Sequence, residues 1–210
     1  MKVVVGFIHD TMVEARWVRC MFTLRAQRDE QISEILFVES GGGSLDRGRN
    51  LLVQKFLQNT EAEALLMIDT DMYFGVEEFD RLLTSAEDRD IVSGIYFANE
   101  RPPRPAMHRW NENGRAESFT EWEDHDVLEV DGCGAGFLLV KRAVYESMNH
   151  PELYEGRAGS WFNQSAHGPA GQLLNEDSGF CLRAQEHGYK IHVDTDCLVG
   201  HIKARVLGFE

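Results

Sequence analysis

"ALLMIDTDMYF", residues Ala64 to Phe74, carries five apolar residues straight into two aspartates separated by one threonine. An unbroken apolar run of this length predicts a strand buried on both faces, as in a parallel sheet flanked by helices. The aspartates then fall at the strand's carboxyl end, where open α/β sheets bind their ligands. Residues two apart in an extended segment point to the same side, so Asp69 and Asp71 can share one hard divalent cation. The plainer alternative is that aspartate simply ends a strand.

Working outward, "KVVVGFI" and "EILFVES" read as buried strands before this one, and "DIVSGIYF" as one after it. Helical spacing joins them. Val13, Trp17, Cys20, Met21 and Leu24 predict a helix to about Arg28, with Thr11 as its cap and Glu14 reaching back. Leu52, Val53, Phe56 and Leu57 predict a second helix after the glycines Gly41 to Gly43, and Val76, Phe79, Leu82 and Leu83 a third. Strands alternating with such helices predict an α/β, Rossmann-like, mostly parallel sheet. Beyond "ERPPRP" the pattern changes: "SFTEW", "VLEVD" and "GFLLVKR" read as short strands pairing antiparallel, followed by a helix from Ala143 to about Met148. Pro151 to Asn175 forms a long Gly/Ser/Asn-rich stretch around Trp161 and Phe162, and a loop of that length is functional or mobile. Its two aromatics suit either an acceptor platform and lid or a core anchor. "EDSGFCLRAQEHG" predicts the last helix and "YKIHVDTD" the last strand.

The 210 residues fit one domain, expected to comprise a nucleotide-binding half (1–100) and an acceptor-side half (101–210). A net charge of −14 argues against a surface built for duplex DNA or anionic lipid. Four scattered cysteines without a C-x-x-C pair predict reduced thiols, and no apolar run approaches a signal peptide or membrane span. A soluble cytoplasmic protein is the expectation.

A second D-x-D, Asp194-Thr195-Asp196, shows how little the three letters weigh alone. Its alternating context predicts Ile191 and Val193 inward, with His192 and Asp194 on the wet face of an edge strand. Arg47 and Arg49 sit near a helix N-terminus, where positive charge opposes the helix dipole and favours a recruited anion. Ser44 or Asp46 is the candidate cap there. Asp10, ending the first strand, suits either helix capping or a contact to a pyrimidine ring.

Four segments in order resemble the GT-A glycosyltransferases with a D-x-D motif, of the compact bacterial and phage type. They are "SLDRGRNLLVQKFL", "LLMIDTDMYF", "VDGCGAGFLLVKRAVYE" and "NEDSGFCLRAQEHGYKIHVDTDCLVGHIK", together spanning about residues 40 to 203. The resemblance implies sugar transfer from a nucleotide-sugar donor, a UDP-sugar foremost, with Mn²⁺ or Mg²⁺ bound. It implies that Asp69 contacts ribose or metal, that Asp71 binds the metal, and that His201 supplies a third ligand. A neutral imidazole beside carboxylates favours manganese over magnesium. Arg47, Arg49 and Asn50 match the nucleotide-contacting positions. In inverting members the second carboxylate of the Glu-Asp pair deprotonates the acceptor, which assigns the base to Asp177 and leaves Glu176 as substitute or acceptor contact. Carboxylates at a helix N-terminus are also stabilising without any catalytic purpose. Lys203 would help neutralise the leaving diphosphate, and the glycines of "GCGAG" would let a sugar approach the backbone. The acceptor would be a glycan, a protein or a modified base. Two rival readings stand beside this one. A nucleotidyltransferase would carry a glycine-rich basic loop after its first strand, which "GFIHDTMVE" lacks. The other is a non-catalytic nucleotide-sugar binding protein.

Overall fold

The computed structural model describes residues 1–40, 43–58, 62–98, 102–123, 126–148, 160–163 and 166–203. The first half alternates as its periodicity dictates: β1 (Val3–His9), α1 (Ala15–Gln27), β2 (Ile32–Glu39), α2 (Leu45–Gln58), β3 (Ala64–Ile68), β4 (Met72–Tyr73), α3 (Val76–Ser85) and β5 (Ile91–Ile95). Short strands follow: β6 (Phe97–Ala98), β7 (Arg104–Pro105), β8 (Met107–Trp110), β9 (Ala116–Glu117), β10 (Val127–Val130), β11 (Gly132–Cys133) and β12 (Phe137–Lys141). The chain closes with α4 (Arg142–Ser147), α5 (Glu176–Glu186), β13 (Ile191–Leu198) and β14 (Gly200–His201).

Seven strands form the central sheet in the order β10-β13-β5-β12-β3-β1-β2. Five run the same way, and β10 and β12 oppose them. The strand "GFLLVKR" does pair antiparallel, but with strands of the central sheet. Its four successive buried residues, Phe137 to Val140, place β12 between β3 and β5 in the middle of the sheet. β13 is likewise internal, and the edge is β10. "SFTEW" forms no strand; the pairing there is β9 with β8, just upstream.

Alternate strand residues feed two cores. Val4, Leu65, Leu138 and Val193 pack with α2, α4 and α5, whereas Val3, Leu66, Leu139 and Val92 pack with α1 and α3. Each buried Val, Leu or Phe contributes roughly 1.5–3 kcal/mol by leaving water, which is what holds the sheet between its helices. α1 begins at Ala15 with Glu14 at the cap position and no side-chain cap, so the predicted Thr11 capping box does not form. α2 lies close on β1: a Cβ on Gly48 would fall 2.8 Å from Cδ1 of Ile8. All four cysteines are buried free thiols. No helix among the described residues is long and apolar enough to cross a membrane. Gly41 and Gly42, the start of "ERPPRP" and residues 151–159 and 164–165 of the long stretch lie outside the described residues.

Candidate functional site

One edge of the sheet gathers the carboxyl ends of β1, β3, β5 and β13. It also gathers the amino end of β12, because that strand runs backwards. Asp69 follows β3 directly, its N–H donating to the Gly136 carbonyl at 2.9 Å before β12. The chain turns through Asp71 into β4, which pairs antiparallel with β14, and Ile202 N–H donates to the Asp71 carbonyl at 2.7 Å. This pairing returns the C-terminal segment to the D-x-D turn across 130 residues of sequence.

Asp71 Oδ2 lies 3.2 Å from His201 Nε2 and 2.6 Å from Lys203 Nζ. Burial alone would raise this carboxyl, but the hydrogen bonds and charges of His201 and Lys203 bring its pKa down to about 2. His201 Nδ1 sits 2.8 Å from the Phe97 carbonyl, an acceptor only, which places a ring proton on Nδ1. In the neutral ring Nε2 then directs a lone pair at a carboxylate oxygen, an arrangement completed by a cation. The Asp71 hydrogen bond accordingly raises the His201 pKa. An imidazole oriented through Nδ1 by a backbone carbonyl beside a carboxylate fits a divalent metal, with Lys203 on the same oxygen. Among the described residues, no group of three or more His, Cys, Asp or Glu side chains is arranged to hold a metal.

Glu176 and Asp177 open α5, whose cap is Asn175, accepting from Ser178 N–H at 2.9 Å. Neither acid faces water squarely. Arg49, only 2% exposed, places Nη1 3.1 Å from Glu176 Oε1 and 3.0 Å from Asp177 Oδ1, and Nη2 3.5 Å from both Asp69 oxygens. The contact to Asp177 Oδ1 is an ion pair outside hydrogen-bond geometry, which leaves that buried oxygen without a hydrogen-bond donor. Oδ2 accepts from Ala135 N–H at 3.1 Å. Burial, opposed by Arg49 and reinforced by Glu176 and Asp69, lifts the Asp177 pKa to about 6. Burial would lower the Arg49 pKa, but Asp177, Asp69 and Glu176 hold it far above its ordinary value.

Asp177, His201 and Lys203 line one cavity of about 350 Å³, with Tyr96, His108 and Gly134 among its other walls. Tyr96 has no counterpart in the sequence reading, though its place directly after the buried run of β5 was the available signal. Its hydroxyl accepts from Gly136 N–H at 3.1 Å, and burial, then Asp177 and Asp69, push its pKa well above normal.

Several of the predicted residues are held by partners within the protein. Asn50 is engaged within the protein: its side-chain amide donates to the Phe162 carbonyl at 2.7 Å and accepts from Phe162 N–H at 3.0 Å. Arg49 faces carboxylates instead of open solvent, whereas Arg47 is exposed. Trp161 and Phe162 are 3% and 0% exposed, so they are anchors and not an acceptor platform. Trp161 Nε1 donates to the Tyr145 carbonyl, and Phe162 stacks on Phe180 at 4.6 Å. The glycines of "GCGAG" make room for side chains. A Cβ at Gly132 would strike His108, one at Gly134 the Tyr96 hydroxyl, and one at Gly136 would strike Met72 and Tyr96. Asp194 is fully buried, not on a wet face, accepting from Arg81 and Ser85. Asp10 is exposed.

No protein-family model matches the sequence, and no curated protein matches it either. Solved structures do. A197 from STIV is similar with a TM-score of 0.55 and 15% identity, covering 100% of this chain and 98% of that one. GalNAc-T7, solved with UDP, GalNAc and Mn²⁺, is similar with a TM-score of 0.65 and 10% identity, covering 96% of this chain and 44% of that one. At these identities the likeness is one of fold: the chain shares a mixed α/β architecture, built on a mostly parallel central sheet, with these structures.

Proposed function

We propose that the chain is a metal-dependent glycosyltransferase that moves a sugar from a nucleoside-diphosphate donor, a UDP-sugar foremost, to an acceptor hydroxyl with inversion. The observation that carries this reading is the shared cavity. A carboxyl with a pKa of about 6 forms one wall and the Asp71-bound pair, His201 and Lys203, forms another. The GT-A architecture, and the Mn²⁺ and UDP bound in the GalNAc-T7 structure, support it from outside the chain.

In this reading Asp71 and His201, with Asp69 alongside, would hold a manganese or magnesium ion, which would supply positive charge to the departing diphosphate. Lys203 adds a partly exposed positive charge beside Asp71. Asp177 accepts the proton of the acceptor hydroxyl as its oxygen bonds to the anomeric carbon and the bond to the diphosphate breaks. Ala135 N–H and Arg49 keep that carboxylate aimed. Glu176 is committed to Arg49 and serves the base indirectly.

The test is a thermal-shift panel of nucleotide-sugars with and without Mn²⁺, paired with an assay for released nucleotide. A donor should raise Tm only with metal, because a ligand bound to the folded state alone stabilises it. Asp71→Ala should abolish both that shift and turnover while unfolding near the wild-type temperature. Unchanged turnover in Asp71→Ala removes the metal assignment. Pyrophosphate as product, in place of a nucleoside diphosphate, would make the chain a nucleotidyltransferase.

A further inference from the structure

We propose that Arg49 is a positioning residue that joins the donor side of the site to its base, one buried guanidinium holding Asp69 after β3 in register with Glu176 and Asp177 on α5. This rests on the glycosyltransferase reading above. It replaces the nucleotide-contacting role that the sequence resemblance gives the same residue.

Three observations converge on it. The first is access: at 2% exposure, with contacts at 3.0, 3.1 and 3.5 Å to three carboxylates, the guanidinium is already surrounded by anions. A phosphate approaching it would meet those carboxylates first. The second is fixation of the backbone. Gly48 seats α2 against Ile8 on one side of Arg49, and Asn50 clamps both backbone atoms of Phe162 on the other. Phe162 in turn stacks on Phe180 within α5 and lies 5.8 Å from the guanidinium. Arg49 is thus pinned to the helix that bears Asp177. The third is charge. One cation among three carboxylates leaves an excess of negative charge, so any change at Asp69 is felt at Asp177 through the group they share. Facing Asp177 are Arg49 from α2, Asp69 after β3, Tyr96 after β5, Cys133 from β11 and Glu176 beside it on α5. His108, His201 and Lys203 share its cavity. Only a planar fork spans three partners at once; lysine's point charge cannot.

Two variants test this. Arg49→Lys keeps the charge and loses the fork: kcat for UDP release from UDP-GalNAc with Mn²⁺ should fall about 100-fold, the scale of a misplaced reacting group, with KM nearly unchanged. Arg49→Gln removes the charge: the titration midpoint of the Asp177 carboxyl, followed by carbon-13 NMR without substrate, should move upward. The acidic limb of the rate profile should move up with it. A rise in KM with kcat intact would return Arg49 to the phosphate, and an unmoved Asp177 midpoint would overturn the coupling. If Arg49→Gln does not fold, the kcat and KM split in Arg49→Lys decides. A wild-type chain that turns over no nucleotide-sugar would refute the functional reading, and the NMR titration would still decide what Arg49 does to Asp177.

Discussion

Asp177 stands where burial and its carboxylate neighbours raise its pKa to about 6, and a general base works only as the anion. Transfer should therefore fall as pH drops through about 6 and level off above pH 7, which a pH series of kcat measures. Asp177→Asn should cost about 10²–10⁴-fold in kcat, the range for a lost general base. The same shift has a consequence for stability. A carboxyl whose folded pKa lies above its unfolded one binds more protons when folded, so it lowers stability as pH rises from about 4 to 6. Above pH 6 that penalty is complete. Asp177→Asn should then melt at or above the wild-type temperature at pH 7.5, and its advantage should shrink toward pH 4. A mutant that loses both activity and stability at pH 7.5 would mark Asp177 as a structural ion-pair partner. A residue that works at the expense of stability is what an active site predicts.

At the scale of elements, the two Asp-Thr-Asp copies separate a site from a strut. The first hangs from the end of β3 and is reached by β14; the second sits within β13, where the register with β5 shifts after Asp194. Alternation gave the right direction for Asp194, opposite Val193, but not its burial: α3 covers that face of an internal strand, so the residue meets Arg81 and Ser85 and ties α3 to the sheet. Asp194→Ala should cost about 2–4 kcal/mol, since it strips a buried hydrogen-bonded charge from its partners, while leaving metal-dependent nucleotide binding intact at permissive temperature. Asp71→Ala should abolish that binding at a smaller cost in stability, that of its partly exposed contacts with His201 and Lys203. Denaturant unfolding and metal-dependent thermal shift, run on both variants, read the two effects apart. Elements with strong local periodicity, such as α3 and β3, were legible in the sequence, as was the position of Asp177 at a helix start. The place of β12 was not, because four buried residues in a row define a strand without naming its neighbours. Nor was the clamp between Asn50 and Phe162, a contact across 112 residues that no local pattern encodes.

Across the whole molecule, a chain of net charge −14 gathers Asp69, Asp71, Glu176 and Asp177 at one sheet edge. Arg49 answers one group of these carboxylates from inside, and His201 and Lys203 answer Asp71 from the far end of the described chain. The inner charge is locked by burial; of the outer pair His201 ends a two-residue strand, Lys203 follows it, and both are partly exposed. An incoming divalent cation can therefore replace only the outer contacts. Replacing His201 and Lys203 together by alanine keeps the main-chain pairing of β14 with β4 and removes the side chains alone. The double variant should melt within a few degrees of wild type at neutral pH, yet show no Tm increase with Mn²⁺ and UDP. It should also lose an acid signature. Asp71, held to about 2 by these two partners, stabilises the wild type above about pH 4, and that contribution disappears as pH falls toward 2. The stability gap between wild type and double variant should therefore be full at pH 5 and close near pH 2. A retained Mn²⁺ response would place the cation on carboxylates alone, and a gap that does not close with acid would mean that the tail stabilises through its strand and not through Asp71.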